Sequence, residues 1–171
     1  MDFESGDKMK TFEEKISLEA LEEFEDAIFG MCRLAGSSTE LKYDILVDYF
    51  GSTKKISPRL LIDFNGHCSG LIPISIDEFN PKILVDRKVP GFDKVSKWVK
   101  KNFSLLIRHW NQEIYDEDLL SLLFYGVTHD EWNDQHHSLM TKYDNGEITL
   151  DEVLKVMRKE KEEYRNANRQ R

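Results

Sequence analysis

The sequence predicts an α+β fold: an N-terminal helix, a small antiparallel sheet of three to four strands covered by an amphipathic helix, and then a C-terminal helical region. Apolar residues recur with a helical period before residue 38, alternate with polar residues from residue 41, and regain the helical period from residue 92. Short turn signals separate the predicted strands, so consecutive strands should pair in antiparallel fashion. We divide the chain into an acidic N-terminal helix (1–38), an α+β core (39–111) and a helical region (112–171) that packs on the core as one domain.

The predicted N-terminal helix begins at a capping box of Thr11 and Glu14, in which each side chain accepts a hydrogen bond from a backbone N–H. Gly36 ends it, because glycine weakens the helix interior and is common just past a helix end. One face of the helix is apolar and consists of Ile16, Ala20, Phe24, Ala27, Met31 and Leu34.

Four segments have the alternating or β-rich character of strands. They are residues 41–49, 60–64, 68–76 and 83–85. Asn65 and Gly66 predict a tight hairpin turn between the second and third of them, since both residues tolerate a positive φ. Pro73 lacks a backbone donor, and it therefore predicts that the third strand lies at an edge or a bulge of the sheet.

Residues 90–110 form the clearest amphipathic helix of the chain. Its apolar face, which we expect to cover the sheet, is Phe92, Val95, Val99, Phe103, Leu106 and Trp110. The opposite side carries a basic stripe, defined here as Lys94, Lys97, Lys101 and Arg108. Trp98 and Leu105 lie on the flank of this stripe, outside the apolar face.

Three further helices are predicted after residue 111. One spans Asp116 to Tyr125, and the next two open at capping boxes that begin at Thr128 and Thr149. Beyond Arg158 the sequence is charged and polar, so we expect the last helix to project into solvent or to fray.

The formal net charge of −8 is unevenly distributed. Residues 111–145 contain eight acids and a single lysine, whereas residues 91–110 contain five bases and one acid. Binding to nucleic acid needs a broad basic footprint, so we do not expect this chain to bind it directly. We expect instead that acidic helices lie near the basic stripe and neutralise it.

The chain has no apolar stretch of about 18 residues, and its acidic N-terminus does not resemble a signal peptide. We therefore predict a cytoplasmic protein without membrane contact. Cys32 and Cys68 match no paired spacing, and in a reducing compartment we expect them to be free, buried thiols.

The sequence does not indicate an enzyme or a cofactor. It lacks a phosphate-binding glycine loop, a nucleophile elbow and a catalytic cysteine setting. The alternative is a metal-dependent phosphohydrolase of the HD type that uses His129 and Asp130, with His109 as a further ligand, because imidazole and carboxylate groups suit such a metal.

The candidate interaction residues are of two kinds. Trp98 and Leu105, with the nearby Lys94 and Lys101, combine an aromatic side chain with cations, a combination found at protein interfaces. The second kind is acidic and belongs to the C-terminal helices: Asp116, Glu117, Asp118, Asp130, Glu131 and Asp134.

The middle of the chain, over about residues 45–111, resembles a family of small uncharacterised bacterial proteins that are often encoded beside toxin–antitoxin genes. The matching segments are 58–66, which corresponds to the family's Pro-His-x-His-Val strand, and 81–90 followed by Trp98, Leu105-Leu106 and Trp110-Asn111. Arg59 and Leu61 stand where the family has its two histidines, so no role of that pair carries over. The resemblance implies a bacterial or phage setting and a compact α+β core.

We therefore predict a non-enzymatic, acidic interaction or regulatory protein of a bacterium or phage that binds a protein partner, for instance as an inhibitor linked to toxin–antitoxin or defence systems. The phosphohydrolase and a structural homo-oligomer are the alternatives.

Overall fold

The computed structural model describes residues 31–48 and 56–169, which form the predicted α+β architecture. The strands are β1 (Met31–Leu34), β2 (Asp44–Asp48), β3 (Arg59–Asp63) and β4 (Leu71–Ser75). The helices are α1 (Gly36–Thr39), α2 (Phe92–Lys101), α3 (Phe103–Trp110), α4 (Asp116–Tyr125), α5 (His129–Asp144) and α6 (Leu150–Arg169). The strands pair in the order β1-β2-β3-β4, each antiparallel to its neighbour. No helix of the described residues is long and apolar enough to cross a membrane.

Strand β1 corrects the prediction that residues 31–34 end the N-terminal helix. It forms one edge of the sheet and pairs with β2, with Cys32 opposite Val47 and Leu34 opposite Ile45. A four-residue segment fits a helical and a strand period equally well, so only pairing with β2 decides between them. The predicted cap at Thr11 lies outside the described residues.

The main core lies between one face of the sheet and the helices that cover it. The strands contribute Cys32, Leu34, Ile45, Val47, Leu60, Ile62, Ile72 and Ile74. The predicted apolar face of residues 90–110 is confirmed: Val95, Val99, Leu106 and Trp110 are buried, and Phe92 and Phe103 pack against them. Each fully buried aliphatic side chain stabilises the fold by about 1.5–3 kcal/mol relative to its exposed state. Ile114 and Leu119 extend the same core into the C-terminal region.

The long amphipathic helix is divided in two at Asn102. The backbone of Asn102 has φ −104° and ψ 11°, outside the usual α-helical range. Both its backbone N–H and its side-chain amide donate to the Trp98 carbonyl, over 3.1 Å and 2.9 Å. This second, local hydrogen bond is typical of asparagine and disfavours a helix interior.

The hairpin of β3 and β4 is confirmed, but its loop is longer than the predicted two-residue turn. Gly66, His67, Cys68 and Gly70 all have positive φ, so β4 begins at Leu71. Pro73 lies in the edge strand β4, as predicted, and its carbonyl accepts a hydrogen bond from the Leu84 N–H.

The predicted strand at residues 83–85 is reduced to an isolated bridge between Ile83 and Ile74. The fourth strand of the sheet is therefore β1 rather than this segment.

Both predicted caps in the C-terminal region are present. Thr128 and Glu131 form a reciprocal capping box at the start of α5. Thr149 and Glu152 form the same pair of hydrogen bonds before α6, over 2.7 Å and 3.3 Å.

Helix α6 neither projects nor frays within the described residues. It runs to Arg169, and its basic side chains reach the segment around α1. Lys161 Nζ donates to Ser38 Oγ over 2.9 Å, Arg165 donates to the Ser38 carbonyl over 3.2 Å, and Arg169 pairs with Glu40. The charged sequence beyond Arg158 therefore includes side chains that contact the segment around α1 instead of lying only in solvent.

Candidate interaction surfaces

Two acidic helix starts lie next to each other in the C-terminal region. Asp118, in the first turn of α4, accepts a hydrogen bond on Oδ1 from the His129 backbone N–H over 3.0 Å. This contact satisfies a free donor at the start of α5 and brings the first turn of α4 against that of α5. The resulting acidic surface, the name used from here on, consists of Asp116, Glu117, Asp118, Asp130, Glu131 and Asp134.

Three of these six acids have structural partners. Asp116 Oδ1 lies 2.7 Å from Nε2 of the buried His109, Asp118 caps α5, and Glu131 belongs to the capping box. These contacts position the helices, and they leave the three side chains less available to a partner.

The other three acids are exposed. The carboxylates of Glu117, Asp130 and Asp134 make no hydrogen bond or ion pair within residues 31–48 and 56–169. Asp130 and Asp134 are four residues apart on α5 and therefore share a helix face. These three carboxylates are the part of the acidic surface that is available to contact a partner.

Tyr115 adds an aromatic group that we did not predict. It precedes α4, and its side chain is 66% exposed. Tyrosine is enriched at protein interfaces because it offers a large apolar ring with a polar tip. The position of Tyr115 in the sequence could have identified it, because it immediately precedes an acidic first turn, where the chain enters the helix from the surface.

The acidic surface also affects the edge of the core. Burial, together with the charges of Asp116 and Glu117, raises the pKa of the Cys32 thiol to about 12. Cys32 and Cys68 are both free, but Cys68 is half-buried rather than buried and accepts a hydrogen bond from Arg33 over 3.3 Å. Cys32 thus stays a protonated thiol at neutral pH.

Trp98, Leu105 and Lys101 line a cleft of about 320 Å³, which we call the α6 cleft. Its other walls come from α1, α4 and α6, and include Phe124, Tyr164, Lys161, Arg165 and Arg169. The C-terminal helices therefore do pack on the Trp98 flank, yet they leave a cavity there. We expected the C-terminal helices to pack on this flank, but we expected the part of α6 beyond Arg158, which supplies Lys161, Tyr164, Arg165 and Arg169, to project or fray.

The basic stripe is largely unpaired in the part of the chain described. No acidic side chain there lies within 4.0 Å of the amino groups of Lys94, Lys97 or Lys101, and Arg108 approaches Glu113 at 3.9 Å. Lys94 instead lines a second cleft, of about 410 Å³, with Tyr43 and Pro90. Within the described ranges these three lysines thus have no direct ion pair; the expected neutralisation stays a prediction, because the acidic residues before Met31 lie outside those ranges.

The residues of the metal hypothesis are not assembled into a site. His109 is buried against Asp116, whereas His129 and Asp130 belong to the first turn of α5. Across the described ranges, no three His, Cys, Asp or Glu side chains are grouped so that they could hold a metal ion. The phosphohydrolase stays a prediction that metal analysis of the purified protein can test.

No protein-family model, no curated protein and no solved structure matches this chain.

Proposed function

We propose that this protein is a non-enzymatic binding protein whose acidic surface contacts a basic surface of a protein partner. One observation carries the proposal: the Asp118–His129 hydrogen bond brings two acidic helix starts together beside the exposed Tyr115. Opposite charges across an interface speed association and exclude wrong partners, and an exposed tyrosine supplies contact area.

A basic groove that binds nucleic acid is the kind of partner surface that fits. An acidic protein that occupies such a groove would act as an inhibitor of a nuclease or toxin. The resemblance to bacterial proteins encoded beside toxin–antitoxin genes supports this form of the proposal, in a cytoplasmic setting. Recognition would then depend on charge rather than on catalysis.

The test compares two variants with equal net charge. The surface variant combines Glu117→Gln, Asp130→Asn and Asp134→Asn. The control combines Glu162→Gln, Asp144→Asn and Asp151→Asn, which removes three exposed acids from the end of α5 and from α6. Proteins captured from a bacterial lysate by the wild type are identified, purified and titrated against both variants.

We expect the surface variant to lose about tenfold or more in affinity, since three charges each contribute up to about 1 kcal/mol at an interface of this kind. The control should stay within about twofold, and wild-type affinity should fall steeply between 50 and 300 mM salt, as screening requires. A partner that binds both variants equally, or whose affinity ignores salt, would contradict the proposal. Self-association in light scattering as the sole interaction would favour the homo-oligomer.

A further inference from the structure

The α6 cleft holds an excess of positive charge in a protein whose formal net charge is −8. Lys161, Arg165 and Arg169 follow one another at four-residue intervals along α6, so they share one face of that helix. Lys101 lies on the facing wall. Glu40 is the one acidic residue among the described residues of the lining, and it pairs with Arg169 and lies 3.8 Å from Arg165.

The surroundings of Lys161 are unfavourable for its positive charge. Its Nζ lies 4.3 Å from the centre of the Phe124 ring and donates to Ser38 Oγ, and no carboxylate of the described residues lies within 4.0 Å of it. Partial burial and the nearby Arg165 lower the pKa of its ammonium group. The attraction of an anion in the cleft would offset both unfavourable effects.

The donors that such an anion needs converge at one end of the cleft. Lys161 donates one of its hydrogens to Ser38, which leaves its other two. Ser38 accepts through oxygen, so its own hydroxyl hydrogen can donate. Arg165, bonded to the Ser37 and Ser38 carbonyls, is held beside them. A phosphate, with three terminal oxygens, can use three such donors.

Aromatic and apolar side chains line the cleft beside these polar groups. Trp98 and Tyr164 come from α2 and α6, and Leu105 and Leu122 complete the wall. Flat aromatic faces stack on planar rings, at about 1–3 kcal/mol per nucleobase in binding proteins. The volume of about 320 Å³ falls in the usual range of small-molecule sites, about 300–1,000 Å³.

We propose that the α6 cleft binds a small aromatic phosphate of the nucleoside monophosphate class. Lys161, Arg165 and Ser38 contact the phosphate, and the base lies against Trp98 and Tyr164. This site is separate from the acidic surface, so its success or failure does not bear on the proposed protein partner.

Calorimetric titration of the full chain with AMP tests the proposal, alongside adenosine, inorganic phosphate and benzoate as probes of each part. We expect AMP to bind more tightly than adenosine, inorganic phosphate or benzoate. Lys161→Gln should weaken AMP binding about tenfold, because a charge-assisted hydrogen bond is lost. Lys159→Gln is the matched control: it makes the same change on the same helix at a side chain that is 78% exposed, and it should stay within twofold.

We expect AMP to quench the tryptophan fluorescence of the wild type, and Trp98→Phe should remove this quenching while keeping AMP affinity within about threefold. Trp98→Leu should weaken AMP but leave inorganic phosphate unchanged. Circular dichroism spectra establish that each variant is folded, and Lys161→Arg, which keeps the charge, should retain most of the affinity.

Several outcomes would overturn the proposal. They are no AMP binding at millimolar concentration, equal losses in the Lys161 and Lys159 variants, and phosphate binding as tightly as AMP. Tighter binding of benzoate than of AMP would also overturn it, because the site would then select a carboxylate.

Discussion

Arg33 links three strands on the face of the sheet opposite the main core. In the β2–β3 register Asp44 lies directly opposite Asp63, a like-charge pair that is unfavourable by itself. Arg33 donates to Asp44 Oδ2 over 2.7 Å and to Asp63 Oδ2 over 2.6 Å, and so links β1, β2 and β3. Asp63 is fully buried, and its Oδ1 has no hydrogen-bond partner among the described residues. Arg33 therefore supplies the opposite charge for a buried carboxylate, and the Cys68 backbone N–H adds a hydrogen bond to Asp63 Oδ2 over 3.1 Å.

Replacing Arg33 by Met should lower the free energy of unfolding by about 2–3 kcal/mol, because it leaves the Asp63 charge buried with fewer partners. Urea denaturation followed by circular dichroism measures the change. The control is Arg87→Met, at an exposed loop arginine, which should cost less than about 0.5 kcal/mol.

A double variant isolates the charge as the cause. Asp63→Asn in the Arg33→Met background should recover part of the lost stability, since a buried amide is easier to desolvate than a carboxylate. Equal losses in Arg33→Met and Arg87→Met would contradict this account of the sheet.

Helices α4 and α5 are each followed by a glycine, and the two glycines have different surroundings. Gly126 and Gly146 both have φ of +73°, the left-handed conformation that follows many helices. A Cβ on Gly126 would lie 2.4 Å from Cε2 of Tyr164, whereas a Cβ on Gly146 would meet nothing within 4 Å. Gly126 therefore provides both the turn and the space for a ring of α6.

Gly146→Ala should cost about 1 kcal/mol in unfolding free energy from backbone strain alone. Gly126→Ala carries the same strain and must also displace Tyr164, so we expect a loss larger by about 1–2 kcal/mol. Thermal or urea unfolding of the two variants in parallel measures the difference. Similar losses would show that Tyr164 moves aside at no cost and that its packing on Gly126 contributes little.

Two surfaces of opposite charge are built from different elements of the described residues. The acidic surface lies at the starts of α4 and α5, and the cations of α6 line a cleft with α1 and Trp98. The sheet and the C-terminal helices nevertheless share one hydrophobic core, because Ile114 and Leu119 pack in the same cluster as the strands. His109–Asp116 and Lys161–Ser38 add polar contacts between elements. The architecture thus favours a single unfolding unit that carries two separate surfaces.

We accordingly expect one cooperative unfolding transition. Trp110 lies in the core against the sheet, while Trp132 stacks on His136 within the C-terminal helices. In each variant that retains only one of these tryptophans, with Phe at the other positions, the fluorescence midpoint should coincide within about 0.2 M urea with the circular-dichroism midpoint of the same variant, as two-state unfolding requires. A Trp132 fluorescence midpoint below the circular-dichroism midpoint of that variant would show that the C-terminal helices unfold independently.

The sequence by itself determined the features that depend on neighbours along the chain. These include the α+β class, the buried face of residues 90–110, the edge position of Pro73, and the two caps at Thr128 and Thr149. Each follows from side-chain periodicity, a missing N–H or a local hydrogen bond, and such causes act within a few residues.

Only the tertiary structure decided the features that depend on distant partners. Residues 31–34 are a strand because β2 offers unpaired backbone groups, and Arg33 is needed because two aspartates meet across β2 and β3. Helix α6 docks because its cations find Ser38 and Glu40 more than 120 residues away, which turns a polar tail into one wall of a cleft. The physical reason is the same in each case: a charged or short segment has no strong preference of its own, so the contacts available in three dimensions determine what it does.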